Sequence, residues 1–132
     1  MRLVVMAAVL LMSGGMQTRP AGPVYDASFV LAEGTYTGTT TFNVSRAGEV
    51  TGTMRIVDPQ VVDATLAGTV KGGTWTFEYP YTIPDRGCAG TVKGTASVAA
   101  DRSTVKGDAV IGGACTEAPE SATFTFTRRA AR

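Results

Sequence analysis

The residue types that most often carry out chemistry are scarce in this chain. It contains no histidine, which removes serine–histidine–aspartate sites, cysteine–histidine sites and the commonest metal ligand. Carboxylates remain as possible catalytic groups, and the candidates are Glu117 with Glu120, and Asp85 near Cys88. Loop carboxylates are usually solvated charges, and no phosphate-binding, zinc or calcium motif accompanies these. The sequence therefore predicts a protein that is not an enzyme and that needs no cofactor or metal.

The two cysteines, Cys88 and Cys115, are the candidates for one disulfide. Alternating apolar and polar residues predict a hairpin around the loop 100–103. Pairing Ala99 with Thr104 across this loop, and continuing the ladder, places Cys88 directly opposite Cys115. Directly opposed strand residues have Cβ atoms ~4.5–5.5 Å apart, which is close to the reach of a disulfide. Because no histidine can activate a thiolate, the predicted role of the pair is structural rather than catalytic.

Aromatic residues with polar tips are the candidate ligand contacts: Tyr36, Trp75, Tyr79 and Tyr81. The alternation of the strands that carry them places them all on one inward face. Their hydroxyl and indole N–H groups could offer polar contacts at the mouth of a cavity. Pro80 has no N–H to donate to a sheet, which suggests a sheet edge or a barrel mouth beside Tyr79 and Tyr81. The alternative is that these side chains, together with Phe42 and Phe77, simply fill the core.

The elements that must position these residues are short strands. From residue 34 to residue 127 apolar and polar residues alternate, and sixteen glycines with many threonines disfavour helix. The expected strands are residues 35–44, 50–57, 62–71, 74–81, 88–99, 104–111 and 122–127, with residues 25–31 as a further short strand or an extended arm. Tight turns at glycines join the strands into an antiparallel meander. The predicted organisation is a single β domain over residues 34–132, preceded by a linker or N-terminal arm over residues 16–33.

Glycines recur on the face that also carries the apolar side chains: Gly38, Gly52, Gly68, Gly90, Gly94 and Gly107. The predicted registers place Phe42 opposite Gly52 and Phe77 opposite Gly68, and aromatic residues that cover glycines are typical of strongly curved sheets. This curvature predicts an all-β, up-and-down β-barrel of seven to eight strands, with a β-sandwich as the alternative. In its hairpins, glycines and threonines the chain resembles the avidin and streptavidin barrels over residues 34–127. The resemblance is one of composition and hairpin pattern, and we infer from it no ligand contact and no biotin binding.

Residues 1–15 have the pattern of a signal peptide. Arg2 precedes an unbroken apolar run over residues 3–12, and small residues follow at a cleavage-like spacing. The run is too short to span a bilayer, which takes about 20 residues. We therefore expect a secreted or periplasmic protein with no membrane span after cleavage, in a compartment that favours the disulfide.

Charge and composition narrow the expected partners. The formal net charge is +1, so the chain lacks the basic surface of a protein that binds nucleic acid. The leading hypothesis is an exported, non-enzymatic binding module that holds a small apolar or aromatic ligand in the barrel. The alternative is a cell-envelope interaction or structural protein whose barrel is filled by its own side chains. An internal cavity larger than a water molecule separates the two hypotheses.

Overall fold

The computed structural model describes residues 22–130. The expected signal peptide, and the expected linker up to residue 21, lie outside the described residues. The strands are β1 (Val24–Leu31), β2 (Gly34–Val44), β3 (Val50–Asp58), β4 (Val62–Leu66), β5 (Thr69–Lys71), β6 (Thr74–Ile83), β7 (Cys88–Val98), β8 (Thr104–Gly113) and β9 (Glu120–Arg128). The helical part of residues 22–130 is one 3-10 turn, Pro84–Arg86. None of these residues belongs to a helix with the length and hydropathy of a membrane span.

The strands close into a barrel. Neighbouring strands pair antiparallel, β1 also pairs with β9, and both β4 and β5 pair with β6. Because β4 and β5 share one position in the wall, the nine strands make an eight-strand up-and-down barrel with one extra strand. The prediction of an up-and-down barrel is confirmed. The alternative of a sandwich is wrong, because the pairing of β1 with β9 and of β4 with β6 joins the two edges of the sheet.

The barrel begins earlier than the expected boundary at residue 34. β1 pairs with β2 along its whole length and with β9 on its other side. Its inward residues Tyr25, Ala27 and Phe29 are buried in the core. Residues 25–31 are therefore a strand of the wall rather than an extended arm, and without them β2 and β9 would have no partner on that side.

The expected strand over residues 62–71 is broken into β4 and β5. Gly68 interrupts it with a φ of +124°, a conformation that glycine adopts far more readily than other residues. At the break, the carbonyl of Gly68 accepts a hydrogen bond from the N–H of Val50 at 2.9 Å. The carbonyl of Ala67 accepts one from the indole Nε1 of Trp75 at 3.1 Å. Backbone groups that the break removes from the ladder thus find partners in β3 and β6.

The predicted register of the β7–β8 hairpin is confirmed. Gly90 lies opposite Gly113, and two further residues along the same register Cys88 lies opposite Cys115. These cysteines form a disulfide with their Cα atoms 5.3 Å apart. The bond ties the start of β7 to the connection that follows β8, at one end of the barrel.

The two ends of the barrel differ in how completely they are filled. The tryptophan end carries the β2–β3, β5–β6 and β7–β8 turns, and the disulfide end carries the β1–β2, β3–β4, β6–β7 and β8–β9 connections. At the tryptophan end, Phe42, Val50, Trp75 and their neighbours leave a void of about 10 Å³, which is at the lower limit for one water molecule. A Cβ atom on Gly52 would lie 2.7 Å from Cβ of Phe42, and one on Gly68 would lie 2.7 Å from Nε1 of Trp75. Phe42 lies opposite Gly52, as the sequence predicted. At Gly68 the predicted cover by Phe77 is wrong, because the side chain closest to this glycine is Trp75.

Candidate ligand-binding cavity

A cavity of about 500 Å³ lies at the disulfide end of the barrel. Its apolar lining comes from inward positions of several strands and includes Phe29 in β1, Met54 and Ile56 in β3, Val92 in β7 and Ile111 in β8. Every second residue of a strand points into the barrel, and these inward residues are mostly apolar. The interior of the cavity is therefore apolar. Its rim comes from the connections at the same end.

The cavity exists because aromatic side chains are concentrated at the other end. The Trp75 and Phe77 ring centroids are 4.4 Å apart, and those of Phe124 and Phe126 are 5.0 Å apart. Phe126 is completely buried. Towards the disulfide end the inward side chains of β3, β7 and β8 are not aromatic, and the cavity lies among Ile56, Val92 and Ile111. The same wall is thus packed at one end and hollow at the other.

Two of the four predicted ligand contacts, Tyr36 and Tyr81, line the cavity. The buried Tyr81 donates its hydroxyl to the carbonyl of Gly112 at 3.3 Å. The half-buried Tyr36 donates its hydroxyl to Oε2 of Glu33 at 2.8 Å. Desolvation raises the pKa of both phenols, and Glu33 raises that of Tyr36 further. Both hydroxyls therefore stay protonated at neutral pH and can exchange their present acceptors for a ligand.

The other two, Trp75 and Tyr79, do not line this cavity. Trp75 is 3% exposed, stacks on Tyr79 with centroids 6.1 Å apart, and has its Nε1 engaged by Ala67. Trp75 and Tyr81 share a face of β6 but lie roughly 20 Å apart along it, at about 3.3 Å per residue. Pro80 does not mark a sheet edge, because the barrel closes. It lies opposite Thr91 of β7. On the other side of β6, it falls between the residues that pair with β5 and those that pair with β4.

Sequence reasoning missed most of the polar rim. Glu33 follows β1, Gln60 follows β3 and Arg86 belongs to the 3-10 turn after β6, and all three line the cavity. Glu117 and Glu120, considered above as a carboxylate pair, also lie on the rim, whereas Asp85 is not among the lining residues. The sequence signal that could have identified these residues is their position next to the termini of strands, on the side of the barrel that carries the cysteines.

The disulfide positions part of this rim. Cys115 is 7% exposed and lines the cavity, and its bond to Cys88 holds the connection 114–119 against β7. The N–H of Ala114 donates to the carbonyl of Ala89 at 3.1 Å, which adds a second attachment. Glu117 therefore flanks the cavity on a tethered connection, and Glu120 follows this connection as the first residue of β9.

The charged groups of the rim influence one another. Desolvation raises the pKa of the Glu120 carboxyl, and the neighbouring Glu33 raises it further through its charge and a side-chain hydrogen bond. Within residues 22–130 no group of three or more His, Cys, Asp or Glu side chains converges in a way that could hold a metal ion. The arrangement is a cavity with an apolar interior and a polar, charged mouth, a composition typical of small-molecule sites.

No protein-family model matches the sequence, and no curated protein sequence matches it. Solved structures that resemble it include a redesigned β-barrel, b11L5F_LGL, with a TM-score of 0.62 and 15% identity over 83% of this chain and 92% of that one. EF1p2_mFAP2b bound to DFHBI has a TM-score of 0.63 and 17% identity over 83% of this chain and 94% of its own. The redesigned barrel mFAP1 bound to DFHBI has a TM-score of 0.60 and 15% identity over 82% and 94%. At these identities the likeness establishes the class of fold, a closed antiparallel β-barrel.

Two buried tyrosines allow a matched test of the polar groups inside the barrel. The Tyr79 hydroxyl is buried without a hydrogen-bond partner among residues 22–130, and burial raises its pKa. The Tyr25 hydroxyl donates to the carbonyl of Arg102 at 2.6 Å. We expect Tyr79→Phe to raise the free energy of unfolding by about 1 kcal/mol and Tyr25→Phe to lower it by about 1 kcal/mol, because an unsatisfied buried hydroxyl is costly and a satisfied one is stabilising. Urea unfolding measures both, and a loss of stability in Tyr79→Phe as large as that in Tyr25→Phe would contradict this account.

Proposed function

We propose that this protein is an exported, non-enzymatic binding module that holds a small apolar or aromatic ligand in the cavity at the disulfide end. The observation that carries the proposal is the cavity itself, whose volume of about 500 Å³ falls within the ~300–1,000 Å³ of small-molecule sites. Its interior offers Phe29, Ile56 and Ile111 to an apolar body. Tyr36 and Tyr81 offer hydroxyls to a polar substituent.

The fold gives independent support for a binding role. Two of the structures that resemble this chain are bound to DFHBI, so barrels of this fold can bind a small molecule. Sequence identities of 15–17% carry no information about which ligand this chain would take. The choice of ligand class therefore depends on the side chains of this cavity.

Export and the absence of catalysis are the further parts of the proposal. The apolar run over residues 3–12 behind Arg2 supports export, and the Cys88–Cys115 disulfide suits an oxidising compartment outside the cytoplasm. A chain without histidine lacks the usual general base, and the carboxylates of the rim lie at the mouth of the cavity, in or next to the connections between strands. Binding without turnover is the simplest use of such a cavity.

A second reading is supported by the filled half of the barrel. The void of about 10 Å³ at the tryptophan end shows that much of the interior is ordinary core. A cell-envelope interaction or structural protein would need no more than this, and it would act through its loops or outer surface. The binding experiment below separates this reading from the first.

The experiment is a titration with N-phenyl-1-naphthylamine, an uncharged probe whose fluorescence increases in apolar surroundings. Ile111 lines the cavity, whereas its neighbour Val110 points outward and is 40% exposed. We expect saturable binding to the unmodified protein and to Val110→Trp, and at least tenfold weaker binding to Ile111→Trp, whose indole would occupy the cavity. Trp75 quenching is a poorer readout because Trp75 lies at the other end.

Thermal unfolding provides the second measurement, which does not depend on any variant folding. A ligand at 100 times its Kd stabilises the native state by about 2.7 kcal/mol, so the melting temperature should rise with probe concentration. If neither saturable fluorescence nor a rise in melting temperature occurs with any apolar or aromatic compound, the interaction or structural role becomes the better reading.

A further inference from the structure

Charges of opposite sign are distributed unequally around the mouth of the cavity. Among the described lining residues, Glu33, Glu117 and Glu120 are acidic and Arg86 is the one base. Glu33 follows β1 and Glu120 begins β9, and these two strands are neighbours in the wall. Arg86 follows β6, which β7 and β8 separate from β9. One side of the mouth is therefore acidic, and the base lies away from it.

Neither Glu33 nor Glu120 forms an ion pair with a basic side chain within residues 22–130. The ion pairs found there join Arg55 with Asp63 at 3.5 Å and Arg129 with Asp26 at 2.9 Å, on the outer surface. Glu33 accepts a hydrogen bond from Tyr36, a neutral donor that orients the carboxylate without cancelling its charge.

The carboxylates of Glu33 and Glu120 repel one another, and the carboxylate of Glu120 is partly desolvated. Both effects raise the pKa of Glu120. A cation placed between Glu33 and Glu120 would relieve the repulsion, whereas an anion would add to it. A neutral ligand would leave the repulsion as it is.

We infer that the cavity selects apolar ligands that carry a cationic end, such as a primary amine, with Glu33 and Glu120 as the residues that bind the cation. The inference rests on the proposed function and names its ligand class. The apolar body lies against Phe29 and Ile111, and the ammonium group lies at the β1–β9 side of the mouth, beside Glu33 and Glu120.

Probes that share one body and differ in charge test this selection. These are 4-phenylbutylamine, 4-phenylbutan-1-ol and 4-phenylbutyrate, and displacement of N-phenyl-1-naphthylamine reports their affinities. We expect the amine to bind about five- to thirtyfold more tightly than the alcohol, which corresponds to ~1–2 kcal/mol. The carboxylate should bind more weakly than the alcohol.

Two variants with the same change in net charge locate the effect. Glu33→Gln combined with Glu120→Gln should reduce the preference for the amine to less than twofold while the affinity for the alcohol stays within twofold of its original value. Glu49→Gln combined with Glu78→Gln is the control, because both side chains are exposed and neither lines the cavity. This control should keep the full preference.

The outcomes distinguish the two proposals. Equal affinity for the amine and the alcohol, or a preference for the carboxylate, overturns the cationic ligand class and leaves the cavity as a binding site. A preference that survives in the Glu33 and Glu120 variant overturns the assignment of these residues. Failure of all the probes, N-phenyl-1-naphthylamine included, to bind the unmodified protein overturns the proposed function and the inference together.

Discussion

Replacing Trp75 with alanine lowers the free energy of unfolding by about 3–5 kcal/mol, the range found for large aromatic side chains removed from cores. Trp75 is 3% exposed, lies opposite Val70 and packs against the rings of Phe77 and Phe124. Its loss enlarges a region whose void is about 10 Å³, and it leaves the Ala67 carbonyl without the indole donor at the break between β4 and β5. Urea unfolding followed by circular dichroism measures the change.

The neighbouring Thr74→Ala provides the control for Trp75→Ala. Thr74 is exposed at the start of the same strand, and its replacement should change stability by less than about 0.5 kcal/mol. The unmodified protein should also show short-wavelength tryptophan emission that moves to longer wavelength on unfolding. Emission that is already at long wavelength in the native protein would contradict the burial of Trp75.

Replacing Cys88 and Cys115 with serine lowers stability by about 3 kcal/mol and leaves the barrel intact. On the chain-entropy account, a cross-link between residues 27 apart restricts the unfolded chain by about this amount. The β7–β8 ladder already aligns the two positions, so the bond is not needed to set the register. For a domain of about 100 residues we expect the melting temperature to fall by about 10 °C or more.

Reduction of the unmodified protein is the matched control for the serine variant. A reductant should bring the unmodified protein close to the stability of the double variant, and it should leave the variant itself unchanged. Two free thiols in protein recovered from an exported fraction would contradict the pairing of Cys88 with Cys115 and weaken the argument for export.

The division of the barrel links these stability predictions to binding. The aromatic packing around Trp75 stabilises one end, and the cavity occupies the other, between Ile111 and the rim at Glu33. We therefore expect Trp75→Ala to reduce stability far more than it changes probe affinity in the folded protein. The disulfide variant should affect both properties, because Cys115 lines the cavity and its bond holds the connection 114–119 in place.

Local patterns predicted most of the wall of the barrel. The period of two placed Trp75, Tyr79 and Tyr81 inward, and the turn lengths set the hairpin registers that brought Cys88 opposite Cys115. These features depend on neighbouring strands and short loops, and such contacts are encoded close together in the chain. The sequence does not decide whether residues 25–31 form a strand or an arm. One partner, β2, is adjacent in the chain, but the other, β9, is nearly the full length of the domain away, and no local signal specifies so distant a partner.

Sequence patterns were sufficient to predict the all-β class, the inward face of the seven expected strands and the pairing of the cysteines. They could not predict where the barrel is filled and where it is hollow, because the position of a cavity depends on how far side chains from opposite walls extend at the same height. That is why Tyr36 and Tyr81 line the cavity and Trp75 does not, although all three point inward. Only the tertiary structure decided that Glu33 and Glu120 share one mouth, since barrel closure through β1 and β9 brings together residues that lie far apart in the chain.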